Sequence, residues 1–379
     1  MEFSFDAYVD ARLVLPAGEK SWLDGGLGKF RFGAAQPSPN LRIAEAVGQA
    51  TLAVDDALHA ISVLRLEPEQ PSGIDFLEAY VSWRPAAHGS WRWSAKAGAF
   101  FPPVSLENDD LGWSSPYTLT PSAINSWVGD ELRTIGGEGS LSWHGDAGAA
   151  TLTGALFCCN EPAGVLIAER GWSLDDRPMG LLERVRIPDA TAALYGMPVP
   201  SRTGMFENID SQVGWYAQFK WSRADWGEAG VLYYDNRADP AASTARDSSW
   251  HTKFWSLSLR SRLAGATILA QAFSGDTAIG APAYATYFRA AYLLASYDLG
   301  DWRLSARGDV FQVRNFGGAS PTDEDGSAVT AAVLWSAKSW LRLGAELIAL
   351  DSRRPERLLE GAPPERSDTQ FQFSARVFL

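Results

Sequence analysis

Residues 3–13 read FSFDAYVDARL, and every second residue of this stretch is apolar. The odd positions hold the apolar set and the even positions the polar set: Phe3, Phe5, Ala7, Val9, Ala11 and Leu13 against Ser4, Asp6, Tyr8, Asp10 and Arg12. Successive side chains of a β-strand point to opposite faces of the sheet. The stretch therefore predicts a strand with one apolar face and one water-compatible face.

The same period of two recurs along the whole chain, for example in residues 213–222, 341–347 and 370–379. We place strand starts near residues 2, 41, 58, 75, 91, 134, 149, 212, 227, 250, 266, 284, 302, 327, 340 and 367. This predicts an all-β fold of about 16 antiparallel strands. Eighteen strands is the alternative, if residues 25–33 or 164–171 supply more.

The links between predicted strands alternate between short ones, such as residues 54–57 and 145–148, and long ones, such as residues 15–40. Short turns at one end and long loops at the other are how outer-membrane barrels are built. Several tryptophans also fall near strand ends, where aromatic girdles meet the membrane interface. We expect one transmembrane antiparallel β-barrel over residues 1–379, in the outer membrane of a Gram-negative cell.

Composition narrows the choice of function. The chain has 379 residues, a formal net charge of -12 and a pI near 4.9, which argues against nucleic-acid binding. Its apolar runs are far shorter than the roughly 20 residues of a membrane helix, so crossing a bilayer requires a closed barrel. Residues 1–5 do not resemble a signal peptide, so we expect that one has been removed. A soluble β-rich binding protein remains an alternative.

Two segments interrupt the alternation, residues 101–133 and 160–211. Two prolines follow residue 101, and the Thr120–Pro121 pair resembles a helix start, which predicts a short helix over residues 121–132. We expect residues 101–133 to fold inward as a constriction segment, because a wide barrel is otherwise unselective. We expect residues 160–211 to form a long external loop, whose arginines face either the vestibule or the solvent.

Charged residues of the first segment suggest how such a constriction would work. Opposed charges across a narrow aqueous gap set a transverse field, and the acidic run at residues 107–110 would approach Arg92 and Lys96. The alternative is a solvated loop with incidental charge. By strand parity and loop position we predict these pore-lining residues: Arg84, Arg92, Lys96, Glu107, Asn108, Asp109, Asp110, Glu138, Lys220, Arg260, Arg303, Arg307, Asp309 and Arg342.

The only cysteines, Cys158 and Cys159, are adjacent. Neighbours on a strand point to opposite faces, so we expect them to remain unpaired, small apolar residues. A redox or metal site is the alternative, and a calcium-stabilised loop near Asp235 and Asp239 is another. We nevertheless expect no metal site and no cofactor.

An outer-membrane hydrolase is the alternative from another class of function. Such an enzyme would need a serine beside a histidine, and Ser142 lies two residues before His144, while Ser249 lies two before His251. These spacings are common by chance. We therefore expect no catalytic residue and no enzyme.

Four stretches together resemble Gram-negative porins related to the phosphate-selective porin family: LEAYVSWRP, WRWSAKAGAFFPPVSLEN, GWSSPYTLTPSAINSW and ELRTIGGE. They span roughly residues 75–140. The resemblance implies a passive diffusion channel for small polar or charged solutes, often a homotrimer, surrounded by lipid and lipopolysaccharide. It does not imply phosphate selectivity, because acidic residues offset the inward basic ones. The last residue, Leu379, also departs from the usual terminal aromatic.

Overall fold

A closed antiparallel barrel of 16 strands contains most of the chain. The structure is a computed structural model that describes residues 1–34, 38–69, 73–190, 201–280, 284–316 and 323–379. The strands are β1 (Glu2–Leu15), β2 (Asn40–Ala53), β3 (Leu58–Leu66), β4 (Ile74–Trp83), β5 (Trp91–Phe100), β6 (Thr134–Gly145), β7 (Gly148–Cys158), β8 (Arg184–Arg186), β9 (Arg202–Gly204), β10 (Gly214–Arg223), β11 (Gly227–Asp235), β12 (His251–Leu263), β13 (Ala266–Ile279), β14 (Tyr284–Leu299), β15 (Trp302–Phe316), β16 (Glu324–Lys338), β17 (Leu341–Arg353) and β18 (Glu365–Phe378). Strands β8 and β9 pair with each other as a separate two-stranded sheet.

The barrel closes where β1 pairs with β18, in a register that sets Val9 opposite Val377. The predicted strand starts agree with the structure to within about three residues, and the count of 16 is confirmed. The alternative of 18 strands is wrong. Residues 25–33 form turns with isolated bridges, and residues 164–171 contain the helix α2 (Val165–Glu169).

The alternation in β1 has the predicted consequence. Phe3 and Phe5 lie on the outer surface with more than half of their area exposed, whereas Asp10 and Arg12 point inward and are buried. Apolar side chains outward and polar side chains inward suit a sheet that separates hydrocarbon from a polar interior. No helix in the described part of the chain is long and apolar enough to cross a membrane.

Long and short connections lie at opposite ends of the barrel, which we call the loop end and the turn end. Both chain termini lie at the turn end, beside the short links at residues 146–147, 264–265 and 300–301. Residues 16–39, 101–133 and 159–213 all leave from the loop end. In outer-membrane barrels the short turns face the periplasm, so segments from the loop end enter the lumen from outside.

The cysteine prediction is wrong, because Cys158 and Cys159 form a disulfide in the structure. The argument from opposite strand faces fails since β7 ends at Cys158 and Cys159 takes a left-handed φ of 68°. The two side chains therefore no longer belong to one extended strand. The disulfide lies where the wall gives way to the segment that begins at Asn160.

Alkylation tests this disulfide. Iodoacetamide added to the denatured, unreduced protein is expected to leave its mass unchanged, because both sulfurs are bonded to each other. The same treatment after reduction should add two carbamidomethyl groups, measured by intact mass spectrometry. Modification of either cysteine before reduction would contradict the pairing.

A charge placed on the outer wall tests the orientation of the strands. Leu257 lies near the middle of β12 and points outward with 55% of its area exposed. We expect Leu257→Arg to lower the free energy of unfolding in lipid by about 2–4 kcal/mol, because a guanidinium at the bilayer midplane loses its hydration. Urea titration in vesicles measures the change. The matched control is Ser258→Arg on the inward face, and equal losses in both variants would contradict the assignment of faces.

Candidate functional site in the barrel lumen

A short helix lies inside the barrel, where the first interrupting segment was expected to fold. This helix, α1 (Ala123–Glu131), begins at Ser122, whose hydroxyl accepts a hydrogen bond of 3.3 Å from the backbone N–H of Asn125. All nine of its residues are buried. The backbone N–H of Ala123 donates to Asp309 on β15 at 3.2 Å, which places the start of the helix against the inner wall.

An apolar core joins this helix to the wall. The ring of Trp127 packs against Phe254 of β12, Phe273 of β13 and Phe288 of β14, with centroids 5.8, 5.4 and 5.3 Å away. Trp172 from the second segment packs against the same cluster. Aromatic pairs at these distances add to the stabilisation that burial provides. One side of the lumen is therefore filled by a packed core.

Sequence reasoning missed these inward aromatic residues. Phe254, Phe273 and Phe288 occupy the face that the alternation assigns to water, yet all three are buried. The signal was present, since β12 to β15 carry apolar residues on both faces. A strand that is apolar on both faces is buried on both faces, and here the lumen side is covered by α1.

Arg307 is the main polar anchor between the first segment and the wall. Its guanidinium lies 2.8 Å from Asp309 and 3.3 Å from Glu107, and all three side chains are buried. It also donates to the backbone carbonyls of Thr120 and Pro121 at 2.8 and 2.9 Å. Buried charges persist only when they are paired and hydrogen-bonded, and here two carboxylates and two carbonyls meet that requirement.

The second segment also lies inside the barrel mouth over much of its length. The expectation of an external loop over residues 160–211 differs from the structure here, since residues 160–180 are buried. Arg170 pairs with Asp130 at 2.9 Å, and Trp172 donates to the carbonyl of Gln312 on β15 at 3.0 Å. Two arginines of the segment, Arg170 and Arg177, therefore meet buried carboxylates. We call residues 101–133 and 160–180 together the plug.

Glu131 ties the two parts of the plug together. Its carboxylate accepts hydrogen bonds from the backbone N–H groups of Leu166 at 2.7 Å and Gly164 at 3.2 Å, at the start of α2. Nearer the mouth, Lys29 pairs with Glu324 of β16 at 2.8 Å. Burial outweighs that carboxylate and lowers the pKa of Lys29 to about 7. Lys29 also donates to the carbonyl of Arg170 at 3.0 Å, which fixes the plug to the loop from β1.

The turn-end half of the lumen differs from the plugged half, because many of its inward side chains are only half buried. Lys96 of β5 pairs with Glu138 of β6 at 3.3 Å, and Lys220 lies 3.6 Å from Glu228. Arg92 lies 3.4 Å from His144. These groups line a water-accessible vestibule that faces the turn end.

The acidic run of the first segment contacts different partners from those expected. Glu107 pairs with Arg307 as described, Asp109 with Arg260 at 2.9 Å and Asp110 with Arg342 at 3.2 Å. The expected approach to Arg92 and Lys96 is wrong. The segment crosses the lumen directly after β5. Near the start of this crossing, the side chain of Gln218 on β10 donates to the carbonyl of Pro103 at 2.6 Å. Its acidic side chains therefore reach the opposite wall.

The remaining predicted lining residues lie at the edges of this arrangement. Arg303 pairs with Asp298 at 2.6 Å and donates to the carbonyl of Pro116 at 2.8 Å. Asn108 is largely buried and donates to the carbonyl of Trp113 at 2.5 Å. Arg84 lies exposed at the turn end. The predicted set therefore divides between the plug, its contact with the wall, and the vestibule.

The residues considered for hydrolysis contact other partners. His251 lies 3.0 Å from Asp235 on the neighbouring strand, and His144 lies beside Arg92. No hydrogen bond joins a serine hydroxyl to a histidine ring in the described ranges of the chain. No group of three or more potential metal ligands occurs there either.

Comparison with known proteins gives the class of fold. No protein-family model and no curated protein matches the chain. Among solved structures, the outer membrane channel DcaP of Acinetobacter baumannii is similar with a TM-score of 0.58 and 10% identity, covering 100% of this chain and 97% of that one. An anion-selective porin from Comamonas acidovorans gives 0.57 and 11%, with coverage of 100% and 99%.

A third similar structure is in-vitro folded OmpT, an outer membrane protein of Vibrio cholerae, in its trimer form. Its TM-score is 0.54 at 12% identity, with coverage of 100% and 99%. At these identities the likeness shows the fold. The chain has the closed β-barrel fold of outer-membrane porins, and the apolar outer wall fits that membrane.

Loosening the plug core tests its role. We expect Trp127→Ala to lower the free energy of unfolding of the plug by about 3–5 kcal/mol. The reason is that a fully buried indole leaves a cavity among three phenylalanines. Hydrogen exchange should then rise in residues 160–175 and in α1 while the barrel strands stay protected. The matched control is Trp93→Ala on the outer wall, where 52% of the side chain is exposed. Unchanged exchange in the plug would contradict the packing described.

Proposed function

We propose that the protein is an outer-membrane porin, a passive diffusion channel for small polar or charged solutes that a folded plug restricts. The observation that carries the proposal is the wall itself. A closed sheet of 16 strands turns apolar side chains outward and sets ion pairs such as Lys96–Glu138 around a vestibule. The resemblance to porins in the sequence and the porin-like fold support the same function.

The route of a solute follows from the two sides of the lumen. The apolar core of the plug contacts β7 and β10 to β17, and most of its wall residues lie on β12 to β15. Nearer the turn end, β5, β6, β10 and β11 present Lys96, Glu138, Lys220 and Glu228 to the vestibule. Polar solutes keep their hydrogen bonds only along a polar wall. We therefore place the passage on the β5–β11 side, between the plug and these charged residues.

The proposal covers polar and charged solutes in general, and phosphate selectivity is no part of it. The two lysines of the vestibule are paired with carboxylates, Lys96 with Glu138 and Lys220 with Glu228. A lumen of paired charges orients dipolar solutes and does not form a continuous basic track. The partners we propose are the solute, the surrounding lipid and lipopolysaccharide, and two further copies of this chain in a homotrimer.

Reconstitution tests the channel. Purified folded protein added to a planar bilayer should give discrete conductance steps. Ions are expected to cross through the water-filled passage beside the folded plug. Protein unfolded in urea and added at the same concentration is the control. Folded protein that inserts without any conductance step would overturn the proposal.

Reversing one vestibule charge tests the route. Lys96→Glu places two carboxylates together at the Lys96–Glu138 position, so we expect the reversal potential in a salt gradient to shift toward cation preference. The matched control is Lys338→Glu, an exposed lysine where β16 ends, which should leave the potential unchanged. An identical potential for Lys96→Glu and the wild type would remove Lys96 from the passage.

A further inference from the structure

A cleft of about 370 Å³ opens at the loop end, apart from the vestibule. One wall comes from the loop after β1 and the start of β2, where the guanidinium groups of Arg31 and Arg42 lie 4.7 and 4.8 Å from the centre of the Phe32 ring. The opposite wall is the two-stranded sheet of β8 and β9. Arg42 sits on the inward face of β2, so the cleft belongs to the mouth of the barrel and not to its lipid-facing surface.

Three arginines of the small sheet share one face. Val185 and Thr203 point the other way and are buried, so Arg184, Arg186 and Arg202 point together toward the cleft that they line. In the ladder Arg186 is paired directly with Arg202. Like charges directly opposite each other in a sheet are destabilising. An anion between the two side chains would turn this repulsion into attraction.

Asp24, Glu69 and Glu183 line other parts of the cleft, whereas the carboxylates that pair with this face lie outside it. Arg184 pairs with Asp247 at 2.9 Å and Arg186 with Asp189 at 2.8 Å, and neither acid lines the cleft. Within the described part of the chain, no carboxylate lies within ion-pair distance of Arg202. Among the residues that the structure describes, its guanidinium donates to the carbonyl of Arg184 at 3.1 Å. The cleft side of Arg202 therefore retains donors for a ligand.

The arginines on the floor of the cleft are already paired with carboxylates. Arg31 is buried and pairs with Glu67 at 3.1 Å and Glu69 at 2.9 Å, while Arg177 pairs with Glu183. The excess positive charge thus lies at the rim, on the arginines of the small sheet. A ligand held there would contact the exposed guanidinium groups of the small sheet, above a floor whose arginines are occupied by carboxylates.

We propose that this cleft binds a small solute through an oxyanion, a carboxylate or a phosphate, held between Arg186 and Arg202. Guanidinium groups recognise both groups with paired N–H donors. The volume of the cleft admits a solute larger than the oxyanion alone. The role of the cleft in capturing solutes at the outer mouth rests on the proposed porin function. The binding of an oxyanion in the cleft does not depend on that function.

Calorimetry on folded protein in detergent tests the site, with sodium phosphate and sodium succinate as probes at constant ionic strength in sodium chloride. We expect saturable binding of at least one probe and a loss of about tenfold or more in affinity for Arg202→Gln and for Arg186→Gln, since a tenfold change corresponds to about 1.4 kcal/mol. Arg202→Lys should keep part of the affinity, because it retains the charge and loses the paired donors. The stronger probe identifies the oxyanion.

The matched control is Arg223→Gln, which removes one exposed arginine at the turn end and should bind like the wild type. Circular dichroism and heat-modified mobility confirm that each variant is folded. The absence of saturable binding to the wild type, or equal affinity in the wild type and both glutamine variants, would overturn the site. Calorimetry detects binding whether or not the channel is open. Oxyanion binding without conductance steps would therefore overturn the porin function alone. Conductance steps without oxyanion binding would overturn the site alone.

Discussion

A backbone surrounded by hydrocarbon must satisfy its hydrogen bonds within the sheet. In this chain the constraint is met when β1 pairs with β18, which removes both sheet edges. Once 16 strands close, the diameter is fixed and exceeds what inward side chains alone can fill. The interior must then hold water, additional chain, or both. The protein uses both, with water-accessible charges at the turn end and a folded plug toward the loop end.

The plug is held by two kinds of contact that differ in what they specify. The apolar cluster around Trp127 supplies stabilisation without strong directionality. The buried guanidinium of Arg307 instead requires Glu107, Asp309 and two carbonyls in fixed positions, because an unpaired charge there would be costly. We infer that the arginine sets where the segment sits and that the aromatic cluster keeps it there.

The sequence predicted the wall well and the interior less well, for a physical reason. Alternation shows directly which side chains face hydrocarbon, as Phe3 and Asp10 do for the two faces of β1. The number of strands follows from how often this pattern recurs along the chain. The same alternation states that Arg307 and Lys96 point inward, yet it cannot tell which carboxylate each one meets. That choice depends on how residues 101–133 cross the lumen, a long-range path with no local period. Cys158 and Cys159 show the same limit, because the strand rule stops where the strand ends.

The plug covers Thr330 on the inner face of β16, whereas Ser142 of β6 lies in the water-accessible vestibule. The direct measurement is the rate at which Ser142→Cys and Thr330→Cys react with a membrane-impermeant thiol reagent in the folded protein, whose own cysteines are joined in a disulfide. We expect the thiol reagent to label position 142 rapidly and position 330 slowly. Equal labelling rates at the two positions would contradict it.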